Sequence, residues 1–261
     1  MEIRGIITVP DHRSKRRRAE LSKVEKYKEL FNDTFLMGPN SLRLLDEMLE
    51  KYPIEKGWKL LDLGCGKGLT SLYLANETGA SIFAVDLWIS ATDNYRQFKE
   101  WEIADKVIPI HADANDLPFA EEYFDAIISI DSFHYFATQP GFFTEKILPL
   151  LKPDGVAILA MPGLAEEIHG SEPELMLEWV DGEESEYKLF HSREWWVKHI
   201  GESDQYEIVK AFDLDCFEDA WKDWFASKHP YAIHDEKYFA KGVDKYLSTV
   251  GLVIRKKGTG L

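Results

Sequence analysis

The chain has 261 residues, of which 45% are hydrophobic, and carries a formal net charge of -15. That length and apolar content can supply one sizeable core, while the acidic balance argues against nucleic acid or an anionic membrane surface as a partner, since both would be repelled. Charge appears within four residues of the start (Glu2, Arg4), no apolar run approaches the ~18 residues needed to cross a bilayer, and Cys65 and Cys216 have neither disulfide-framework nor metal-ligand spacing.

These features predict an unexported, cytoplasmic protein with no membrane partner and no metal. The first distinctive stretch, HRSKRRR at 12–18, is read as a solvated basic arm because nothing aromatic is interleaved with it. Next, YKELFNDTFLMGPNSLRLLDEML has the pattern of a helix, a Gly-Pro turn and a second helix capped by Asn40 or Ser41.

Five short apolar runs follow, at 58–63, 80–87, 106–112, 124–130 and 155–161. They lack strict alternation, as expected of strands buried on both faces. Segments of helical length and pattern lie after the first, second and fourth of them, at 69–77, 90–103 and 140–151. This β-α-β rhythm predicts an α/β fold built on a doubly wound parallel sheet. KPDG at 152–155 predicts a tight helix-to-strand corner, with Pro153 at its first central position.

Beyond residue 163 the rhythm changes. Glu166, Glu167, Glu172, Glu174, Glu178, Asp181, Glu183, Glu184 and Glu186 face a single Lys188 over residues 164–190. SREWWVKHI then reads as a helix with Ser192 as its N-cap, QYEIVKAFDL as a strand, CFEDAWKDWFASK as a helix and KYLSTVGLVIRKK as a last strand. The expected division is a leading helical segment over 1–52, a core over 53–163, and a cap with the last two strands over 164–261.

The chemistry concentrates in LLDLGCGKG at 60–68. A strand followed by a glycine-rich turn that opens a helix lets a nucleotide cofactor approach bare backbone and free helix N–H groups. The dinucleotide fingerprint needs a third glycine at position 69, but Leu69 stands there and the third glycine is Gly68. Asp62, just ahead of the turn, would repel a pyrophosphate and attract an ammonium group. Asp86 and Asp113 end the next two predicted strands, on the side where open α/β sheets bind ligands.

With LDLGCGKG, Asp86 and Asp113 in view, the chain resembles the class I S-adenosylmethionine-dependent methyltransferases, whose first motif is a strand followed by D/E-x-G-x-G-x-G. FDAIISIDSFHYF resembles the fourth-strand motif of that family, and LKPDGVAILA its corner into the fifth strand. The likeness is strongest over residues 40–161, and within the family it is most similar to bacterial small-molecule enzymes, including the ubiquinone/menaquinone, glycine and sarcosine methylating group.

The resemblance implies a Rossmann-like seven-stranded sheet of order 3-2-1-4-5-7-6 with strand 7 antiparallel. It implies S-adenosyl-L-methionine as the cofactor, with Gly64, Cys65 and Gly66 near its methionyl part and Asp62 holding its amino group. Asp86 and Leu87 would bind the ribose, Asp113 and Ala114 the adenine, and Ile130 would complete the site. S-adenosyl-L-homocysteine would be the product, and a small molecule the acceptor.

Methyl transfer from a sulfonium is an in-line displacement, so placement and water exclusion supply much of the catalysis. A nucleophile that must shed a proton gains from a base. Asp131, His134 and Tyr135, at the expected fourth-strand exit, are the candidates, with His134 favoured on its ordinary pKa. Tyr27, Phe31, Phe35 and Met37 are candidate lid residues. The acid-rich 164–190 segment and the tryptophans at 179, 195, 196, 221 and 224 point to a polar or cationic acceptor, possible chemistry being N-, O- or S-methylation. A dehydrogenase-type enzyme and a non-catalytic binder are the rival readings; a nucleic-acid methyltransferase lacks its N/D-P-P-Y/F sequence here.

Overall fold

The structure is a computed structural model that describes residues 23–170, 173–182 and 188–258. The basic tract at 12–18 and the acids Glu172, Glu183, Glu184 and Glu186 lie outside the described residues. The strands are β1 (Lys59–Leu63), β2 (Ser81–Asp86), β3 (Val107–His111), β4 (Phe124–Ile130), β5 (Leu151–Leu164), β6 (His191–Ser192), β7 (Tyr206–Asp213) and β8 (Leu247–Lys256).

They form one sheet of order β3-β2-β1-β4-β5-β8-β7, with β6 pairing to the end of β5. β8 is antiparallel to β5 and β7 antiparallel to β8. Apart from the two-residue β6, which shifts the numbering, this is the order and the reversed strand that the resemblance implied. Hydrophobic residues on successive positions go to opposite faces, as strand geometry requires. Leu60, Ile82, Ala126 and Ile158 join one core, whereas Leu61, Val85, Ile127 and Leu159 join the other.

The helices are α1 (Ser41–Lys51), α2 (Leu69–Glu77), α3 (Ala91–Glu100), α4 (Glu174–Trp179), α5 (Arg193–Ile200), α6 (Phe217–Ser227) and α7 (Pro230–Phe239). Residues of α1, α2, α3, α6 and α7 complete the first core, and those of α5 together with the 142–150 segment complete the second. Local caps explain where several of them start. Asn40 accepts from the Leu42 N–H, Ser90 from Asp93 and Ser192 from Trp195, each satisfying a donor that the first helical turn leaves free.

Three local expectations differ from the structure. Residues 23–30 form a 3-10 helix instead of an α-helix, and the expected helix over 140–151 is a single π turn at Phe143–Ile147 followed by a 3-10 turn at Leu148–Leu150. Pro149, within the last of these, has no N–H to continue a regular ladder. The KPDG corner stays within β5 as an irregularity, with Asp154 in the left-handed region (φ 64) and a register shift between Phe124 and Ala126 on β4. α7 was not among the sequence expectations, because its pattern PYAIHDEKYF lacks a clear apolar stripe.

The strand order reverses between β1 and β4, so the carboxyl ends of these strands leave a crevice between their outgoing loops.

Candidate active site in the crevice beyond the first and fourth strands

The crevice is a cavity of about 390 Å3, within the range of small-molecule sites. Its floor is the glycine turn after β1. Gly64 has φ 76, and a Cβ placed on it would lie 2.3 Å from the Ser132 hydroxyl oxygen, so a side chain is excluded twice, by backbone and by space. The Gly64 and Cys65 N–H groups donate to the Val85 carbonyl at 2.8 and 3.0 Å, which pins the turn to the end of β2. Gly68 serves packing instead: its Cβ would meet Phe98 of α3 at 2.3 Å.

The three strand-end carboxylates have three different environments. Asp62 is 1% exposed and does not form part of the cavity wall. One of its oxygens accepts from Thr70 Oγ1 at 2.7 Å and Ser71 Oγ at 2.6 Å, while Oδ1 has no partner among the described residues. Burial pushes its pKa up to about 6, against the lowering effect of the two hydroxyls. Asp62 thus stands behind the turn, tied to the first turn of α2.

Asp86 does line the cavity, but its carboxylate already accepts three backbone N–H groups. Oδ2 takes that of Gly66 at 2.8 Å, and Oδ1 takes those of Trp88 and Ile89, each at 2.8 Å. A carboxylate has about four acceptor sites, so capacity remains for one ligand hydroxyl more readily than for two. Leu87 follows it in the wall. Asp113 Oδ1 accepts both the backbone and side-chain N–H of Asn115 at 2.8 Å, which holds its pKa below the ordinary value, and Asp113 lines the cavity together with Ala112 and Ala114.

Cys65 lines the same wall and is buried, with Sγ 3.6 Å from Asn94 Nδ2. Burial, then the nearby Asp62 and Asp86 charges, push its thiol well above the ordinary value, so it is an inert packing group.

Opposite the glycine turn lies the exit of β4. Ile130 and Asp131 are both in the wall, and Asp131 has a left-handed backbone (φ 58), unusual for any residue with a side chain. Its N–H donates to Ala160 at 2.7 Å, and its carboxylate approaches the lid so closely that a Cβ on Gly38 would lie 2.8 Å from Oδ2. Desolvation pushes its pKa up to about 7. Ser132, next along, donates to the Leu63 carbonyl at 2.9 Å and locks the β4 exit against β1.

His134 is set apart from this wall. It is 1% exposed, lies outside the cavity wall, and packs against the rings of Tyr135 at 4.1 Å and Phe190 at 5.7 Å. Its Nδ1 is buried without a partner among the described residues, and burial pulls its pKa down to about 3. Tyr135 does line the cavity, half exposed, with its ring centroid 5.1 Å from that of Trp88 and the planes at 68°.

The leading segment closes the other side. Phe35, Leu36, Met37, Gly38 and Pro39 are wall residues, and Met37 Sδ lies 3.2 Å from where a Cβ on Gly66 would be. The segment is fastened at several points. Lys67 Nζ donates to the Thr34 carbonyl, Arg43 pairs with Asp223 and Glu25, and Asn40 Nδ2 donates to Asp223 at 2.8 Å. Of the four expected lid residues, Phe35 and Met37 reach the cavity. Tyr27 packs on Tyr73 and bonds Glu77, and Phe31 packs under the Arg43 guanidinium, both away from it.

The tryptophans at 179, 195, 196, 221 and 224 are likewise absent from the cavity wall. Trp196 and Trp224 are core residues, and the Trp179 and Trp224 indoles both donate to Asp235, at 2.7 and 2.8 Å. The tryptophan that does face the cavity, Trp88, was missed. Its signal was its place two residues after the strand-end Asp86. Asn115 and Ser132 were missed too.

The residues fit the cofactor named by the resemblance. A bare backbone turn admits an amino-acid moiety, an unsatisfied Asp62 oxygen lies behind it, and Asp86 and Asp113 each retain acceptor capacity along the wall.

This fold and crevice define a class I, Rossmann-like methyltransferase architecture. Residues 61–159 match the family model described as a methyltransferase domain, and the match supports a class I S-adenosylmethionine-dependent methyltransferase core. Human arginine-hydroxylase NDUFAF5, mitochondrial, is 40% identical over 113 residues, which are 43% of this chain and 31% of that protein. The chain thus spans about a third of the length of the curated relatives it first matches.

Phosphoethanolamine N-methyltransferase 2 of Haemonchus contortus, solved with S-adenosyl-L-methionine, superposes with a TM-score of 0.67 at 21% identity, over 95% of this chain and 60% of that one. Geranyl diphosphate methyltransferase in complex with the same cofactor gives 0.66 at 18% identity, over 83% and 85%. At these identities the two structures establish the shared fold. No helix among the described residues is long and apolar enough to cross a membrane.

Proposed function

We propose that the chain transfers a methyl group from S-adenosylmethionine to a small-molecule amine. The observation that carries this reading is one cavity joining the glycine turn, the carboxylates of Asp86 and Asp113, and that of Asp131, which has no hydrogen-bond partner among the described residues, beneath a fastened lid. When bound, the cofactor supplies an electrophilic methyl on its sulfonium and leaves as a neutral thioether.

The residues of the chain take the following roles in this proposal. Gly64, Cys65 and Gly66 bound the methionyl part, and Asp62 supports its ammonium electrostatically from behind the turn. Asp86 and Leu87 hold the ribose, Asp113 and Ala114 the adenine, and Ile130 closes the wall. Asp131 accepts the proton that an amine must lose, a task for which a carboxyl poised near neutral pH is suited. Tyr135 contacts the acceptor. His134 is assigned to packing.

We further propose the division into a lid segment over 1–52, a cofactor core over 53–163 and a cap with the last strands over 164–261. A reducing, cytoplasmic setting is supported by the free state of both cysteines. The net charge of -15 disfavours nucleic acid as a partner. The similarity to a protein named a hydroxylase favours one rival activity on the same core, hydroxylation.

Calorimetric titration with S-adenosylhomocysteine and with NAD tests the cofactor assignment. Saturable binding of the first and none of the second is expected; the reverse would overturn the proposal.

A further inference from the structure

Trp88 and Tyr135 come from the loops after β2 and β4, strands that do not pair with each other because β1 runs between them. Their rings nevertheless meet, 5.1 Å apart and nearly perpendicular, so the pair spans the glycine turn. Both remain mostly open to solvent, Trp88 at 64% and Tyr135 at 51%, and both are walls of the cavity. Large exposed aromatic surface held at a cavity mouth is a sign of a binding role.

The polar groups in the same wall are one-sided. Three carboxylates, Asp86, Asp113 and Asp131, face one cation, Lys67, whose ammonium donates to the Thr34 carbonyl. Asp86 and Asp113 already accept backbone or amide N–H groups. Asp131 accepts none among the described residues, although it lies four positions before Tyr135 in the same loop and touches Gly38 of the lid. A ring pair offers π faces to a cation, and a carboxylate offers it a counter-charge.

We infer that Trp88, Tyr135 and Asp131 together form the recognition site for the head of an alkylammonium acceptor, with the two rings setting specificity for charge and Asp131 pairing with it. This deepens the amine-methylation reading and rests on it. The described carboxylates and the tryptophans of the C-terminal third, which first suggested a cationic ligand, do not line the cavity, and Trp88 takes over the role assigned to them.

The test is calorimetric titration of the full chain, loaded with S-adenosylhomocysteine, by choline and by its uncharged carbon isostere dimethylbutanol, in which a quaternary carbon replaces the nitrogen. Loading keeps the cofactor region filled, so displacement from an adenine pocket cannot produce the signal. Choline is expected to bind at least about fivefold more tightly than the isostere. In Trp88→Leu and in Asp131→Asn the preference should fall to about twofold or less, while Trp88→Phe, which keeps a π face, should retain most of it.

Equal or tighter binding of the isostere would overturn the inference, as would a preference that survives both Trp88→Leu and Asp131→Asn. Failure of S-adenosylhomocysteine to load, measured first in the same cell, would overturn the methyl-transfer reading itself. Near-ultraviolet circular dichroism of each variant verifies that the fold is retained, and Tyr135→Leu serves as the second ring variant should Trp88→Leu not fold.

Discussion

Gly64 and Ser132 meet across the crevice with no room for a methyl group between them: a Cβ on the glycine would lie 2.3 Å from the serine oxygen. Ser132 is itself held by a hydrogen bond to the Leu63 carbonyl, one residue before that glycine. The exits of β1 and β4 are thus fitted to each other, and the cavity floor depends on the fit. Gly64→Ala should cost about 2 kcal/mol or more, from the strained φ and the clash together, and should weaken S-adenosylhomocysteine binding at least about tenfold. Adding Ser132→Gly should relieve the clash alone. Urea denaturation and calorimetry of the single and double variants check this, a partial recovery being the expected pattern.

Asp131 gives a pH-dependent signature. Its ordinary pKa of 3.8 is pushed up to about 7 by desolvation in the folded chain. Between those values the folded state keeps a proton that the unfolded chain has lost. The stability from this group is therefore fully present below 3.8 and is lost as pH rises through about 7. Asp131→Asn stays neutral throughout, so it should be more stable than the parent at pH 8, by on the order of a few kcal/mol, with the difference shrinking toward pH 4. Turnover should fall at least about a hundredfold if Asp131 accepts the proton. Unfolding free energies of the ligand-free proteins across this range provide the comparison.

The opposite sign is expected at His134. Burial pulls its pKa from 6.5 to about 3, so the folded chain keeps it neutral while the unfolded chain protonates it below 6.5. Its contribution is fully present above 6.5 and is lost as pH falls through about 3. His134→Phe removes that loss and an unpartnered buried nitrogen, and should gain stability relative to the parent as pH drops from 7 to 5. Its kcat should stay within about threefold of the parent if His134 only packs; a loss comparable to that of Asp131→Asn would restore it to the chemistry.

Asp86 holds three backbone N–H groups, those of Gly66, Trp88 and Ile89. Asp86→Ala should destabilise the ligand-free protein by about 2 kcal/mol, because three part-buried N–H donors lose a charged acceptor. Cofactor affinity should fall as well, since this side chain and the Val85 carbonyl join the glycine turn to the β2 exit. Hydrogen exchange at Gly66 and Trp88 reads the local effect directly.

Most of the sheet was legible in the sequence, because strands buried on both faces leave near-continuous apolar runs, and because Gly64 to Gly68 mark one turn unmistakably. Elements with weak periodicity were not. The segment around Leu148-Pro149-Leu150 looks helical by composition but carries a proline that breaks the ladder, and α7 has no clean apolar stripe. At the site, strand-end position pointed to Asp86, Asp113 and Asp131, all of which line the cavity, since position along a strand is a one-dimensional property.

Which way a side chain faces is not such a property. Asp62 and His134 sit beside the crevice in sequence, yet one turns to Thr70 and Ser71 and the other into the space beside Phe190. The acids and tryptophans of the last third suggested a ligand from composition alone, whereas tertiary packing commits Trp179 and Trp224 to Asp235. Trp88, a single residue in an unremarkable stretch, gave no compositional signal at all.

The most direct measurement is incubation of the purified chain with S-adenosylmethionine carrying a deuterated methyl group and a fractionated metabolite extract, followed by mass spectrometry of products and of S-adenosylhomocysteine. The account predicts an amine heavier by one labelled methyl, formed in equal amount to S-adenosylhomocysteine and lost in Asp131→Asn. A product that gains an oxygen atom instead of the label, or consumption of acceptor without formation of S-adenosylhomocysteine, would contradict it.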